Sequence, residues 1–281
     1  MFGLPWTILL PTLLGSILAA MNCSVVGVFI VRMNLSSLGF AMSHAAFAGA
    51  ALGVAVAALD PVWMALVFAI TAAMFLGPLA DASRLNTDSI IGALLPLTMA
   101  LGFVFLNKAP SSGIGSGALS LLWGSVLGIT MRQVWTLAAV ALGLIILLAA
   151  FGKGFLAVLL DRKLALATGV RARGHFYAVL FVSAIVVSIS LRITGGLLIY
   201  ALMVLPASTA LQWVYDIKKA FFLAPAIGTL GAVLGFIFSL VADLPIGSSI
   251  ALATCVLFLI SLAISPKRRR RAPAEGIDRI P

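Results

Sequence analysis

The chain has 281 residues, of which 63% are hydrophobic and only 9% are charged, and its mean hydropathy is +1.21. These few polar side chains could not cover the surface of a soluble domain of this length. The composition therefore excludes a soluble domain and predicts a polytopic membrane protein. The net charge of +10 does not indicate nucleic-acid binding, because much of the excess lies in one basic run, Lys267 to Arg271, beyond the last apolar segment.

Charges, prolines and glycines divide the apolar sequence into about nine stretches that can cross a bilayer as helices, given about 20 residues per crossing. The predicted spans are Trp6–Val31, Ala41–Leu59, Val62–Ala80, Ser89–Leu106, Val134–Phe151, Phe176–Leu191, Gly196–Trp213, Ala220–Ala242 and Ile246–Ile264. Eight or ten spans also fit, because Gly195–Ala210 and Ser112–Gly128 are ambiguous. We therefore predict an all-α transmembrane bundle.

The basic residues predict how this bundle is oriented. If the tail is cytoplasmic and nine helices alternate, all of the 18 basic residues except Lys108, Arg132 and Arg192 lie on the cytoplasmic side. This bias is what the positive-inside rule requires, so the N-terminus is predicted outside and the C-terminus inside. The tail, residues 267–281, is basic and rich in proline; we predict that it is disordered and attracts anionic membrane lipid.

Small residues recur at every fourth position of the second predicted helix, at Ala41, Ala45, Gly49 and Gly53. Such a ridge lets a neighbouring helix backbone approach closely, so the pattern predicts a tightly packed helix pair. The sequence contains no GxxxxGK[ST] motif and therefore predicts no nucleotide binding of the P-loop kind by this chain.

The longest predicted cytoplasmic loop runs from Gly152 to His175. It is too charged to span a membrane and too apolar for an ordinary solvated linker. Phe155 and Leu159 precede Asp161, and Gly169 follows as a candidate helix C-cap, so we expect a short amphipathic helix here. Such a helix either lies among the lipid headgroups or docks on a cytoplasmic subunit.

Six stretches of the sequence form a series in chain order. They are RMNLSSLGFAMSHAAFAGAALG (32–53), DSIIGALLPLTMALGFVFL (88–106), LLWGSVLGIT (121–130), LLDRKLALATGV (159–170), GGLLIYALMVLPASTA (195–210) and DLPIGSSI (243–250). Together they resemble the integral-membrane permease of bacterial ABC importers for zinc, manganese or iron. The resemblance extends over nearly the whole chain.

The resemblance implies a permease domain over residues 1–266, present as a homodimer in the bacterial inner membrane. Such a permease recruits ATP-hydrolysing subunits and accepts its cargo from an extracytoplasmic binding protein. ATP would be bound and hydrolysed only on the partner, so the chain would be neither an enzyme nor the carrier of a stable cofactor. The fourth stretch stands where the family's ATPase-coupling helix lies, and the coupling residues that it implies are Leu160, Asp161, Leu164, Ala165 and Gly169.

The second helix departs from the family at one position. There an Asp commonly precedes the His by four residues, which places both side chains on one helical face. In this sequence the position is Phe40, while His44 and its neighbour Ser43 remain. His44 is either one ligand on the path of a divalent ion or a packing histidine. Other candidates for the same path are Met203 and Asp243, together with carbonyls freed by a proline.

Three functions fit these observations. The first is an ATP-driven importer whose cargo is a divalent transition metal ion. The second keeps the same machine but carries a metal chelate such as a siderophore complex, which would suit the loss of a carboxylate at Phe40. The third is a membrane scaffold that transports nothing, which the packing pattern alone also permits.

Overall fold

The computed structural model describes residues 5–56, 59–82, 87–108, 129–160, 162–167 and 169–265, and within them every regular element is a helix. The ten helices are α1 (Trp6–Arg32), α2 (Leu38–Ala55), α3 (Pro61–Ala82), α4 (Thr87–Asn107), α5 (Met131–Leu160), α6 (Arg162–Ala167), α7 (Ala172–Thr194), α8 (Gly196–Trp213), α9 (Ile217–Ala242) and α10 (Ile246–Ile264). The predicted all-helical fold is confirmed.

Eight helices of the described part are long and apolar enough to cross a membrane, all except α6 and α8. The apolar part of α8 is shorter and runs over Leu198–Trp213. The predicted count of about nine spans thus corresponds to these eight helices together with α8. The predicted orientation of the termini stays a prediction.

Helix α1 lies at the centre of the bundle, in contact with α5, α7, α8 and α9. Two of its polar side chains face these neighbours. The Asn22 side-chain amide donates to the Leu137 carbonyl oxygen of α5 at 3.0 Å, and an interhelical bond of this kind contributes about 0.6 kcal/mol in a membrane. The Ser24 hydroxyl donates to the Ala20 carbonyl oxygen of its own helix at 2.6 Å and lies 3.4 Å from the Leu202 carbonyl oxygen of α8. The Leu202 carbonyl lacks its usual helical donor because Pro206 has no N–H.

The ridge of small residues on α2 packs against α3. A Cβ added at Gly49 would overlap the Met64 carbonyl oxygen, and one added at Gly53 would come within 2.5 Å of Pro61 Cα. Both positions therefore need glycine because the α3 backbone lies directly against them. The predicted close helix pair is confirmed.

Helix α5 ends at Leu160 and not at Phe151, so the segment predicted as a docking helix is divided. Phe155 and Leu159 are only 3% and 5% exposed and belong to the core, where the Phe155 ring lies 5.3 Å from that of Phe29. The predicted end of this span at Phe151 is wrong because the charge of Lys153 does not end the helix. Its side chain is exposed while the helix continues beneath it.

Helix α6 is a single short turn that Gly169 ends. Gly169 has φ +78°, its N–H donates to the Leu166 carbonyl, and the Val170 N–H donates to the Ala165 carbonyl. These two bonds form a Schellman motif, which confirms the predicted C-cap. Ala165 packs with the end of α5 and the start of α7 in a small apolar cluster.

Met33, directly after α1, connects the apolar core. It packs against three clusters: the main one around α1, α2, α7 and α8; a second that includes Phe29 and Phe155; and the small cluster around Ala165 of α6. The turn that leads into α2 thus packs, through Met33, against the small cluster to which Ala165 of α6 belongs.

Candidate functional site

The candidate site lies where α2 meets α8, and glycines bring the two helices together. A Cβ added at Gly39 of α2 would stand 2.9 Å from Met203 Sδ of α8. One added at Gly196 of α8 would lie 3.8 Å from Ser43 Oγ. At both glycines the backbone of one helix therefore lies directly against a side chain of the other.

Three of the predicted residues form a group on α2. The rings of Phe40 and His44 lie with their centroids 4.4 Å apart. Ser43 Oγ donates to the Phe40 carbonyl oxygen at 2.8 Å and lies 3.3 Å from His44 Nδ1. His44 is 2% exposed and Ser43 is fully buried, so water does not compete for these bonds.

Tyr200 of α8 joins this group through Phe40, with its ring centroid 5.9 Å from that of Phe40 in an edge-to-face contact. Phe40 and Tyr200 are half-buried while His44 is buried. Phe40 therefore contacts two rings, that of His44 within α2 and that of Tyr200 on α8. Sequence reasoning missed Tyr200, although a phenol in an apolar helix, three residues before Met203 on the same face, was a usable signal.

Met203 is buried in the same α2–α8 contact. Its sulfur faces Gly39, and its carbonyl oxygen lies so close to Gly27 of α1 that an added Cβ there would overlap it. The carbonyl that Pro206 leaves without a helical partner belongs to Leu202, and it faces the Ser24 hydroxyl. The structure thus places Met203 against α2 at Gly39, one turn before Ser43, but directs the freed carbonyl toward α1.

Asp243 has a different position. It ends α9 in the left-handed conformation at φ 54°, and α9 has α1, α8 and α10 as its neighbours. Asp88 of α4 lies at the start of α2, where its Oδ1 accepts from the Ser37 backbone N–H at 3.3 Å. Within the described ranges, no group of three or more His, Cys, Asp or Glu side chains could hold a metal ion. A path role for Asp243 stays a prediction.

The predicted coupling residues lie at the turn between α5 and α7. Leu160 is 67% exposed, whereas Ala165 of α6 is buried and Gly169 ends that helix. Asp161 and the side chain of Leu164 are outside the described residues, as is the basic tail 267–281. The turn presents Leu160 and Leu166 as exposed apolar side chains.

The model of the ABC 3 transport family matches residues 6–265. The chain belongs to this family. The match includes the α2–α8 contact and the α5–α7 turn, and with eight helices of spanning length it makes the chain a multi-pass membrane component of an ABC transport system.

Individual relatives match over almost their whole length. The manganese transport system membrane protein MntC of Listeria innocua is 30% identical over 91% of this chain and 90% of that protein. The manganese import system permease protein ScaB of Streptococcus parasanguinis is 27% identical over 93% and 92%. The solved structure of PsaBC from Streptococcus pneumoniae in complex with Fab is similar with a TM-score of 0.81, at 29% identity and over 92% of each chain.

Proposed function

We propose that this chain is the permease of an ABC importer in the bacterial inner membrane, and that manganese(II) is its cargo among the divalent transition metals. The observation that carries the proposal is the match to permeases named for manganese over nine tenths of both chains. The family assignment favours the two transport alternatives over a scaffold.

The α2–α8 contact supports a path that binds its ion weakly. One imidazole, one hydroxyl and one thioether lie along this contact, at His44, Ser43 and Met203, and none carries a negative charge. A tight metal site usually has three or four ligands, whereas a path must release what it binds. The proposed role of this group is passage, with retention left to the binding protein that delivers the ion.

The α5–α7 turn supports a partner that supplies the energy. Exposed Leu160 and Leu166 offer an apolar surface to an ATP-hydrolysing subunit. Met33, in the turn that leads into α2, packs against the apolar cluster that includes Ala165 of α6. We therefore assign ATP hydrolysis to the partner, passage to a dimer of this chain, and delivery to an extracytoplasmic binding protein.

A carboxylate placed beside His44 tests whether Mn²⁺ passes this position. Phe40→Asp places an acid one helical turn before the imidazole, where oxygen and nitrogen ligands together suit Mn²⁺. We expect the half-saturating Mn²⁺ concentration for uptake to fall about tenfold, the equivalent of ~1.4 kcal/mol of binding. The measurement is uptake of radioactive Mn²⁺ by native cells whose chromosomal gene carries the substitution.

Phe40→Asn is the matched control, because it opens the same space without adding a charge. If Asp and Asn variants both keep the wild-type half-saturation and the wild-type preference for Mn²⁺ over Zn²⁺, the ion does not pass Phe40. Uptake of an iron–siderophore complex in place of Mn²⁺ would support the chelate alternative.

A further inference from the structure

Hydrogen-bond chemistry assigns the donors around His44. Ser43 Oγ lies 2.8 Å from the Phe40 carbonyl oxygen but 3.3 Å from His44 Nδ1. A carbonyl oxygen can only accept, and 2.8 Å is the ordinary length of an O–H···O bond. The single hydroxyl proton of Ser43 is therefore directed to Phe40, and Ser43 Oγ faces the imidazole with its lone pairs.

This arrangement favours one tautomer of the ring. A neutral imidazole carries one N–H, and a nitrogen that faces an acceptor forms a hydrogen bond with it only when that nitrogen holds the hydrogen. A hydrogen bond from His44 to Ser43 therefore needs the hydrogen on Nδ1, which leaves on Nε2 the lone pair that binds a metal ion. In metal sites the second nitrogen of a ligating histidine commonly donates to such a partner, which orients the ring.

We propose that Ser43 is a positioning residue, which holds His44 in the Nδ1–H tautomer and so presents Nε2 to the passing divalent ion. This inference rests on the proposed function and gives Ser43 a role different from direct contact with the ion. Both residues are buried, so no water replaces the serine hydroxyl at Nδ1. Loss of the hydroxyl removes one of two hydrogen-bond partners of the imidazole, the other being the Phe40 backbone, so the preference for the Nδ1–H form falls.

The tautomer can be observed directly because the chain has only two histidines. The full-length protein, labelled with ¹⁵N-histidine and placed in lipid nanodiscs, is studied by NMR, with His175→Gln used to assign the two rings. We expect His44 to show a protonated Nδ1 and an unprotonated Nε2. In Ser43→Ala we expect the Nε2–H form to appear, whereas Ser43→Thr should keep the wild-type signature. Threonine keeps the hydroxyl on Cβ, and Gly196 of α8, which lies beside Ser43, has no side chain.

Ser183→Ala is the matched control. Its hydroxyl is buried and donates to a helical carbonyl, that of Val179 at 2.6 Å, but it has no histidine beside it in sequence. We expect the His44 spectrum to be unchanged in this variant.

A titration with MnCl₂ then measures Mn²⁺ binding through the paramagnetic broadening of the His44 signal. Loss of an orienting partner typically weakens metal binding about 10–100-fold, so the midpoint should rise by that factor in Ser43→Ala and not in Ser43→Thr or Ser183→Ala.

The two steps separate this inference from the proposed function. An Nε2–H signal in the wild-type protein, or an unchanged tautomer and an unchanged Mn²⁺ midpoint in Ser43→Ala, overturns the role of Ser43 even if cells import Mn²⁺ normally. A correct tautomer with no response of His44 to Mn²⁺ overturns the ligand role of Nε2 and removes His44 from the proposed path.

Discussion

His44→Ala is expected to reduce Mn²⁺ uptake by about tenfold or more. Removing a residue that only hydrogen-bonds to a metal ligand commonly lowers metal affinity or activity by at least about tenfold, and removing the ligand itself should cost no less. The imidazole is the strongest metal-binding side chain among the residues that the α2–α8 contact brings together. Uptake is measured in native cells at saturating and at limiting Mn²⁺, with the amount of permease in the membrane determined in parallel.

Thr254→Val is the control for the loss of a buried polar group. Thr254 of α10 is buried and bonds only to carbonyls of its own helix, Ile250 and Ala251, so its replacement should leave uptake near the wild-type rate. If the His44→Ala strain imports Mn²⁺ as fast as this control, the ion crosses the protein without meeting the imidazole.

Gly27→Ala is expected to lower the stability of the folded bundle, because the added Cβ would overlap the Met203 carbonyl oxygen. It would also stand 3.2 Å from the Ala207 Cβ, so α1 and α8 must move apart. Overpacking of this kind typically costs about 1–3 kcal/mol. Thermal denaturation of the purified protein in detergent should show a clear fall in Tm, and the shift of Met203 should reduce uptake as well.

Two other glycines serve as controls for this experiment. At Gly143, in the middle of α5, an added Cβ meets nothing within 4 Å, so Gly143→Ala should preserve or slightly raise Tm because alanine favours a helix. At Gly39 the obstacle is the flexible end of Met203, which can turn aside. A Tm for Gly27→Ala equal to that of these two variants would contradict the close α1–α8 contact.

Sequence reasoning succeeded where a single helix carries the whole pattern. The repeat of small residues on α2 predicts a face, and α3 packs against that face at Gly49 and Gly53. The position of His44 in an apolar helix likewise predicted a buried imidazole, which is observed. Both features depend on helical periodicity, which is encoded locally.

Features that depend on contacts between helices were beyond the sequence. Hydropathy treats Lys153 as a boundary, although a long side chain can reach a polar environment while its backbone remains in the helix. This is why the end of α5 was misplaced. The contact of Tyr200 with Phe40 joins two helices distant in the sequence, and no periodicity within either helix encodes it.

Met33 is a flexible side chain at the place where three apolar clusters of the bundle meet. A methionine side chain has three rotatable bonds and a polarisable sulfur, so it can follow a changing surface without losing contact. The three apolar clusters can therefore change their relative angles while Met33 stays packed against each of them. A displacement of the cluster that includes Ala165 of α6 would therefore be passed to the turn before α2 through a flexible side chain and not through a rigid contact.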